Sequence, residues 1–262
     1  MTDRFYRDNW LNIEPERFER YKAMFQWSAF TEALVAPADI GPGHVVVDLG
    51  CGPGYVSMEL AKRVGKRGHV HAIDISPEFV EHANRLVLDH KLGDSVTVHL
   101  VKSDELPISA ASVDRILALN VMVYVDDPAA TYREFRRILR PGGIAHAVDS
   151  DWDLAFAEPV PRALWNELMA VANVGFRTPN IGRRLFGYAR AAGFSSVEVQ
   201  VLSRPDTSGR LLRMVQGLCK RARKLGTMDA KRIEEVEFIL DEAVKSGTLL
   251  ILNPQFMVTA RL

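Results

Sequence analysis

Residues 45–55 read Val45-Val46-Val47-Asp48-Leu49-Gly50-Cys51-Gly52-Pro53-Gly54-Tyr55. An aliphatic run leads into an acid, and three glycines then fall at alternate positions. A run this short and this apolar predicts a strand buried on both faces, as in a parallel sheet. The glycines predict a turn in which backbone can approach a ligand closely. The eleven residues therefore read as strand, turn and the start of a helix.

Working outward, residues 41–149 alternate strand and helix patterns. Strands are predicted at Val45–Leu49, Val70–Asp74, Val96–Val101, Arg115–Leu119 and Ile144–Val148. Between them, Val56, Leu60 and Val64 are spaced four apart, with Gly65 as a stop. Ser76-Pro77-Glu78 gives an N-cap, a first-turn proline and a first-turn acid. That helix is expected to reach Leu92. Asp127-Pro128 opens another, which Pro141-Gly142-Gly143 should end. This alternation predicts a parallel sheet with helices on both faces. Beyond residue 150, helices are predicted at 161–174, 181–192 and across 208–245, with strands at 197–202 and 255–260. Residues 1–40 hold eight of the 22 aromatics, among them Trp10, Phe18, Tyr21 and Phe25. Helical spacing is read from Arg17 to Phe30, as a helix packed on the sheet edge or a lid over a ligand.

Bulk properties narrow the class. The 262 residues carry 33 Lys+Arg and 33 Asp+Glu, so no general field favours nucleic acid or an anionic membrane. Two cysteines, Cys51 and Cys219, argue for a reducing compartment over a structural disulfide. With no apolar signal region and no long apolar run, the expectation is a cytoplasmic chain without a membrane span. No Cys/His cluster has metal-ligand spacing, so no metal is expected.

The loop chemistry follows from spacing and charge. Dinucleotide loops are spaced Gly-x-Gly-x-x-Gly and seat a pyrophosphate on a helix N-terminus. Here the spacing is Gly-x-Gly-x-Gly, and Tyr55 stands in place of the third glycine of that pattern. Asp48 brings a negative charge to the loop, which disfavours a pyrophosphate and favours an ammonium or sulfonium. S-adenosylmethionine (SAM) carries both. Asp74 ends the second strand, where a carboxylate can accept from ribose hydroxyls. Ser103-Asp104-Glu105 follows the third strand and can meet the adenine edge.

These segments resemble the class I SAM-dependent methyltransferases, and most closely the small-molecule group that includes the ubiquinone/menaquinone C-methyltransferases. The resemblance rests on residues 46–54, Ala72-Ile73-Asp74-Ile75-Ser76, the stretch 106–114 and the stretch 133–143. It implies a Rossmann-like seven-stranded α/β sheet in the order 3-2-1-4-5-7-6, with strand seven antiparallel. It also implies one domain over 1–262: a helical cap (1–40), a cofactor core (41–149), and substrate-side helices with the last two strands (150–262). The implied cofactor contacts are Asp48, Gly50, Cys51, Gly52, Gly54, Tyr55, Asp74, Ile75, Ser103, Asp104, Glu105, Asn120 and Val121. S-adenosylhomocysteine (SAH) would be the product. Many relatives carry histidine near position 124, and this chain has Tyr124 instead.

For the methyl acceptor the sequence offers candidates only. Tyr124, Asp149 and Asp151 are read as catalytic, and Tyr21, Trp152 and Arg177 as substrate-binding. The acids after the fifth strand can equally be a solvated loop, and His146 a buried structural histidine. The basic run Lys220, Arg221, Arg223 and Lys224 reads better as a solvated face than as an RNA contact. The expected partner is a small molecule, and a homodimer is compatible with the sequence. Alternatives are a SAM-binding protein that transfers nothing, a methyltransferase acting on RNA or protein, and a nicotinamide oxidoreductase.

Overall fold

The structure is a computed structural model that describes residues 5–102 and 105–262. The N-terminal part holds α1 (Phe5–Leu11), α2 (Pro15–Met24) and α3 (Ala29–Val35). Then come β1 (Val45–Leu49), α4 (Tyr55–Val64), β2 (His69–Asp74), α5 (Pro77–Asp89), β3 (Val96–Leu100), β4 (Val113–Leu119), α6 (Pro128–Ile138) and β5 (Leu139–Ser150). The remainder comprises β6 (Phe156–Glu158), α7 (Arg162–Ala172), α8 (Ile181–Ala191), β7 (Ser196–Leu202), α9 (Leu212–Leu225), α10 (Ala230–Ser246), β8 (Leu250–Leu252) and β9 (Gln255–Arg261).

The main sheet has the order β3-β2-β1-β4-β5-β9-β7. The first five strands are parallel, and β9 runs antiparallel to both β5 and β7. With β7 as the sixth strand of this sheet along the chain and β9 as the seventh, this is the order the resemblance implied. Strand order reverses between β1 and β4, so the crevice at their C-terminal ends is the switch point where ligands bind in open α/β sheets. One face of the sheet packs under α6 and α8, around Ile116, Phe135 and Leu185. The other packs under α4 and α5, around Val46, Leu60 and Val87. Helix starts follow their capping residues: Ser76 Oγ accepts from Phe79 N, and Asp127 Oδ1 accepts from Ala130 N at 3.0 Å.

Several boundaries differ from the expectations. The helical spacing from Arg17 to Phe30 is broken at residues 25–28, where Ser28 caps α3 by accepting from Thr31 N. Helix α5 stops at Asp89, short of Leu92. Strand β5 starts at Leu139 and passes through Pro141-Gly142-Gly143, with a register irregularity opposite Val113 and Arg115. Helix α9 starts at Leu212 because Asp206 gathers the preceding turn, accepting from Ser208 N at 3.0 Å and Leu211 N at 2.6 Å. The small antiparallel sheet β6–β8 was not anticipated. Its three-residue strands are too short to show a period. It closes a second core formed by α7, α9 and α10 around Trp165, Leu168 and Ile233.

Candidate functional site

The glycine turn is held by the neighbouring strand. Gly50 N and Cys51 N both donate to Ile73 O, at 2.8 and 3.0 Å. Gly52 N donates to Asp74 Oδ2 at 2.8 Å, and Ser76 N donates to Asp74 Oδ1 at 2.9 Å. One carboxylate at the end of β2 thus fixes both the glycine turn and its own exit. Burial raises the Asp74 pKa above its ordinary value, against the opposing effect of those N–H donors.

Two glycines are required by close approach. A Cβ on Gly50, which has φ +69°, would stand 2.6 Å from Val121 Cγ2. One on Gly54, with φ +94°, would stand 2.8 Å from Ala83 Cβ of α5. The turn is therefore wedged between the loop after β4 and the helix after β2. Gly54 offers no side-chain cap, so α4 opens on bare N–H groups. Tyr55, the first residue of α4, meets the His82 ring edge at 5.6 Å. His82 Nδ1 in turn lies 2.8 Å from Pro53 O.

Asp48 departs from the expectation of a charge presented to a ligand. It is 2% exposed, and its Oδ2 accepts from Ser57 Oγ at 2.5 Å, inside the first turns of α4. Burial, with the nearby Asp74 charge, pushes its pKa up to about 6 despite that hydrogen bond. The Cys51 thiol is buried, free, and pushed upward by burial. Ile75 is half-buried, while Glu105 and Asn120 are exposed. Asn120 adopts a left-handed backbone (φ 52°), and its N donates to Val148 O at 2.8 Å. Ser103 and Asp104 lie outside the described residues.

The acids at and beyond the end of β5 do not act as one solvated loop. Asp149 is 1% exposed, and it turns inward to accept from Val123 N and Ser150 N, each at 3.0 Å. Burial pushes its pKa up to about 7. It thereby anchors the turn that carries Tyr124. Asp151 is also buried, facing Arg183 Nε at 3.2 Å, and neither of its oxygens accepts a well-aligned hydrogen bond. Only Asp153 reaches the surface, where Arg183 Nη2 donates to it at 2.6 Å.

Aromatic rings cover this end of the sheet. Tyr124 meets the Trp10 ring edge at 5.0 Å and lies 5.7 Å from Phe176. Trp152 stacks on Phe176 at 4.7 Å. Tyr21 stacks on Phe25 and packs on Phe79 of α5. Burial drives the Tyr124 hydroxyl pKa upward, so the group is a proton donor rather than a base at neutral pH. Arg177 is exposed and stands 5.8 Å over the Tyr6 ring. The N-terminal helices are fastened across two strand-end loops. Tyr6 Oη donates to Asp126 Oδ1, Arg7 Nη1 donates to Asp126 Oδ2 at 3.1 Å, and Arg7 Nη2 donates to Lys102 O at 2.8 Å.

The structure thus gathers Asp48, Asp74, the glycine turn and Asn120–Val121 around the switch point, with Tyr124, Trp152 and Tyr21 above it. Sequence reasoning did not single out Ser57, Phe79, His82 or Phe176. They lie on ordinary helical or loop positions, and only their contacts distinguish them. Among the described residues, no group of three His, Cys, Asp or Glu side chains could hold a metal ion. No helix among them is long and apolar enough to cross a membrane.

Comparison with known proteins bears on the fold and on the segment that carries the glycine turn. Residues 46–143 match a family model described as a methyltransferase domain. Methyltransferase GfsG of Streptomyces halstedii is 33% identical over 155 residues, covering 59% of this chain and 52% of that protein. The ubiquinone/menaquinone biosynthesis C-methyltransferase UbiE of Hahella chejuensis is 28% identical over 117 residues, covering 45% and 46%. The chain spans about half the length of these curated relatives. A SAM-dependent methyltransferase from Aquifex aeolicus shares the fold, with a TM-score of 0.53 at 20% identity over 73% of this chain and 93% of that one.

Proposed function

Because residues 46–143 match a methyltransferase domain, we propose that this protein is a class I SAM-dependent methyltransferase that moves the methyl group of SAM to an oxygen, nitrogen or carbon of a small-molecule acceptor. The observation that carries the reading is the glycine turn at the switch point, tied to Asp74 and pressed against Val121. The acceptor's lone pair or carbanion attacks the methyl carbon, the carbon–sulfur bond breaks, and its electrons remain on the sulfur of SAH. Alignment of the two reactants can contribute roughly 7–11 kcal/mol to such a displacement.

In this reading the backbone of Gly50, Cys51, Gly52, Gly54 and Tyr55, with the open first turn of α4, lines the donor site. Asp74 and Ile75 take the ribose side. Ser103, Asp104 and Glu105 take the adenine side, and the Asn120–Val121 backbone takes the methionine amino group. Asp48 acts from beneath, by holding α4. Tyr124 donates a hydrogen bond at the acceptor, Asp149 positions the turn that carries it, and Asp151 is the remaining candidate for proton handling. Tyr21, Trp152 and Arg177 bound the acceptor space. Residues 1–262 act as one unit, and a homodimer is an open arrangement for it. The free, buried Cys51 and Cys219 suit a reducing cytoplasm. No metal or nucleic acid is invoked.

The test is calorimetry with SAH. Wild type should bind, and Asp74→Ala should bind at least tenfold more weakly while keeping its circular dichroism. Unchanged affinity would remove the ribose assignment, and no binding by wild type would remove the donor assignment. Incubation with methyl-labelled SAM and cell extract should then put label into small molecules; label in RNA or protein instead would overturn the acceptor class.

A further inference from the structure

Strand β7 stands at one end of the main sheet and is paired on its β9 side alone. The backbone groups it leaves free follow from β9. At the two ends of the β5–β9 ladder, Leu262 N donates to Gly143 O at 3.0 Å and Asp151 N donates to Pro254 O at 3.3 Å. Peptide groups alternate in direction along a strand. The even-numbered residues of β9 therefore bond to β5, and the odd-numbered ones to β7. Arg261 O agrees, accepting from Ser195 N at 2.9 Å. Arg261, Thr259, Met257 and Gln255 stand opposite Ser196, Glu198, Gln200 and Leu202. The N–H and C=O groups of Val197, Val199 and Val201 therefore point away from the sheet.

This edge lies open. Val199 is 44% exposed and Val201 51%, on the face that carries their β9 partners Val258 and Phe256. Phe186, one turn of α8 beyond the Gly182 that abuts Phe256, is 43% exposed. Glu198 and Gln200 are exposed on the opposite face. Sheet edges that stay single are usually guarded by lysine, proline or a bulge. Ser196–Leu202 contains no lysine or proline, and its register with β9 runs without a shift.

We propose that β7 pairs antiparallel with the β7 of a second copy of this chain, about a two-fold axis through Val199, so that two sheets join into one. The strand is self-complementary in this register. Val199 meets the second copy's Val199, and Val197 meets its Val201. These are the residues with outward groups, so each pair exchanges both of its hydrogen bonds. Their valine side chains meet on one face. On the other, Glu198 lies opposite Gln200, a carboxylate beside an amide donor. Other registers are poorer. An axis at Glu198 sets that carboxylate against itself, which is destabilising. An axis at Gln200 leaves Val197 without a partner inside the strand. An axis between two residues sets outward groups against inward ones. A contact of this kind closes on itself, so the assembly stops at two copies.

Sedimentation equilibrium of the full chain should give twice the mass of one chain in the micromolar range. The mass of one chain throughout that range, or growth beyond two, would overturn the proposal. Val199→Pro removes an outward N–H and no bond to β9, a change that edge strands tolerate. It should weaken the dimer at least about tenfold with the circular dichroism unchanged. Should proline disturb the strand, the double variant Val199→Lys, Val201→Lys keeps every N–H and sets like charges across the axis. A dimer equally tight in a folded variant of either kind would overturn the assignment. Cross-linking reads the register. Under mild oxidation, Glu198→Cys chains mixed with Gln200→Cys chains should join by a disulfide, since that pair stands within bridging distance. Neither variant should join to itself, and the native Cys51 and Cys219 are buried. Self-linkage of Glu198→Cys, or no linkage in the mixture, would overturn the axis at Val199. None of these readouts depends on the methyltransferase reading.

Discussion

Asp149→Asn makes the tightest demand on this structure. The carboxyl is enclosed and accepts from Val123 N and Ser150 N. Its pKa is about 7 against an ordinary 3.8. The folded protein therefore keeps a proton that the unfolded chain releases between about pH 4 and pH 7. The resulting stabilisation is complete below the unfolded pKa and is lost as pH rises through the folded one. Each tenfold difference in proton affinity corresponds to about 1.4 kcal/mol, which sets a ceiling of about 4 kcal/mol for this group. Between pH 5 and pH 8 the linked loss is about 2–3 kcal/mol. Asparagine cannot titrate, and its single carbonyl can satisfy only one of the two N–H donors. It should lower stability by about 1–3 kcal/mol where wild type is protonated. That deficit should shrink, and can change sign, by pH 8. Urea melts of both proteins at pH 5, 6, 7 and 8 give the difference directly. Asp48 and Asp74 titrate in both proteins, so their contribution cancels to the extent that the sites are additive. A stability difference constant within about 0.5 kcal/mol across that range would refute the assignment of a raised pKa to Asp149.

Other consequences follow from single contacts. Gly50→Ala puts a methyl group 2.6 Å from Val121 at a positive φ; it should lose about 1–3 kcal/mol of stability and weaken SAH binding in calorimetry. Gly182→Ala adds a Cβ 2.9 Å from the Phe256 ring and 3.1 Å from Asp149 O. Over-packing there should cost about 1–3 kcal/mol in urea melts, and no loss would mean that α8 can retreat from β5. Asp126→Ala removes the partner of Tyr6 and Arg7. Limited proteolysis should then cut faster within residues 5–25, while the core Tm stays within a few degrees of wild type.

The sheet was legible because its evidence is local. Val45–Leu49, Ser76-Pro77 and Asp127-Pro128 each announce an element within a few residues, and the order of the strands followed from a resemblance carried by those same segments. Residues whose use depends on distant partners were not legible. Asp48 read as a charge facing the loop, because nothing nearby in sequence reports that Ser57 closes over it. Asp149 and Asp151 read as neighbours in one acidic run, yet the first holds the turn after β4 and the second faces Arg183 of α8. Ser150 precedes Asn253 by 103 residues and Gln255 by 105, and meets them only through the β5–β9 pairing. The break after α2 was hidden because its aromatic spacing continues across residues 25–28.

The carboxylates at the strand ends suggest why this site is rigid on its donor side. Asp74 ends β2 and holds the turn that follows β1. Asp149, near the end of β5, holds the turn that follows β4. The two central strands flank the switch point, and each has its exit loop fixed by an acid from its outer neighbour. Asp48, on β1 itself, fixes the helix that the glycine turn feeds. Burying three carboxyls raises all three pKa values, which opposes ionisation and costs stability as pH rises. What the fold gains is backbone held in place before any ligand arrives, the condition under which fixed dipoles act on a reacting group without first reorganising. If that account is right, Asp74→Asn and Asp149→Asn should each increase amide hydrogen exchange in the loop of the neighbouring strand, at residues 50–54 and 120–125 respectively. Increased exchange confined to the mutated strand's own exit would show that the acids merely close their own turns.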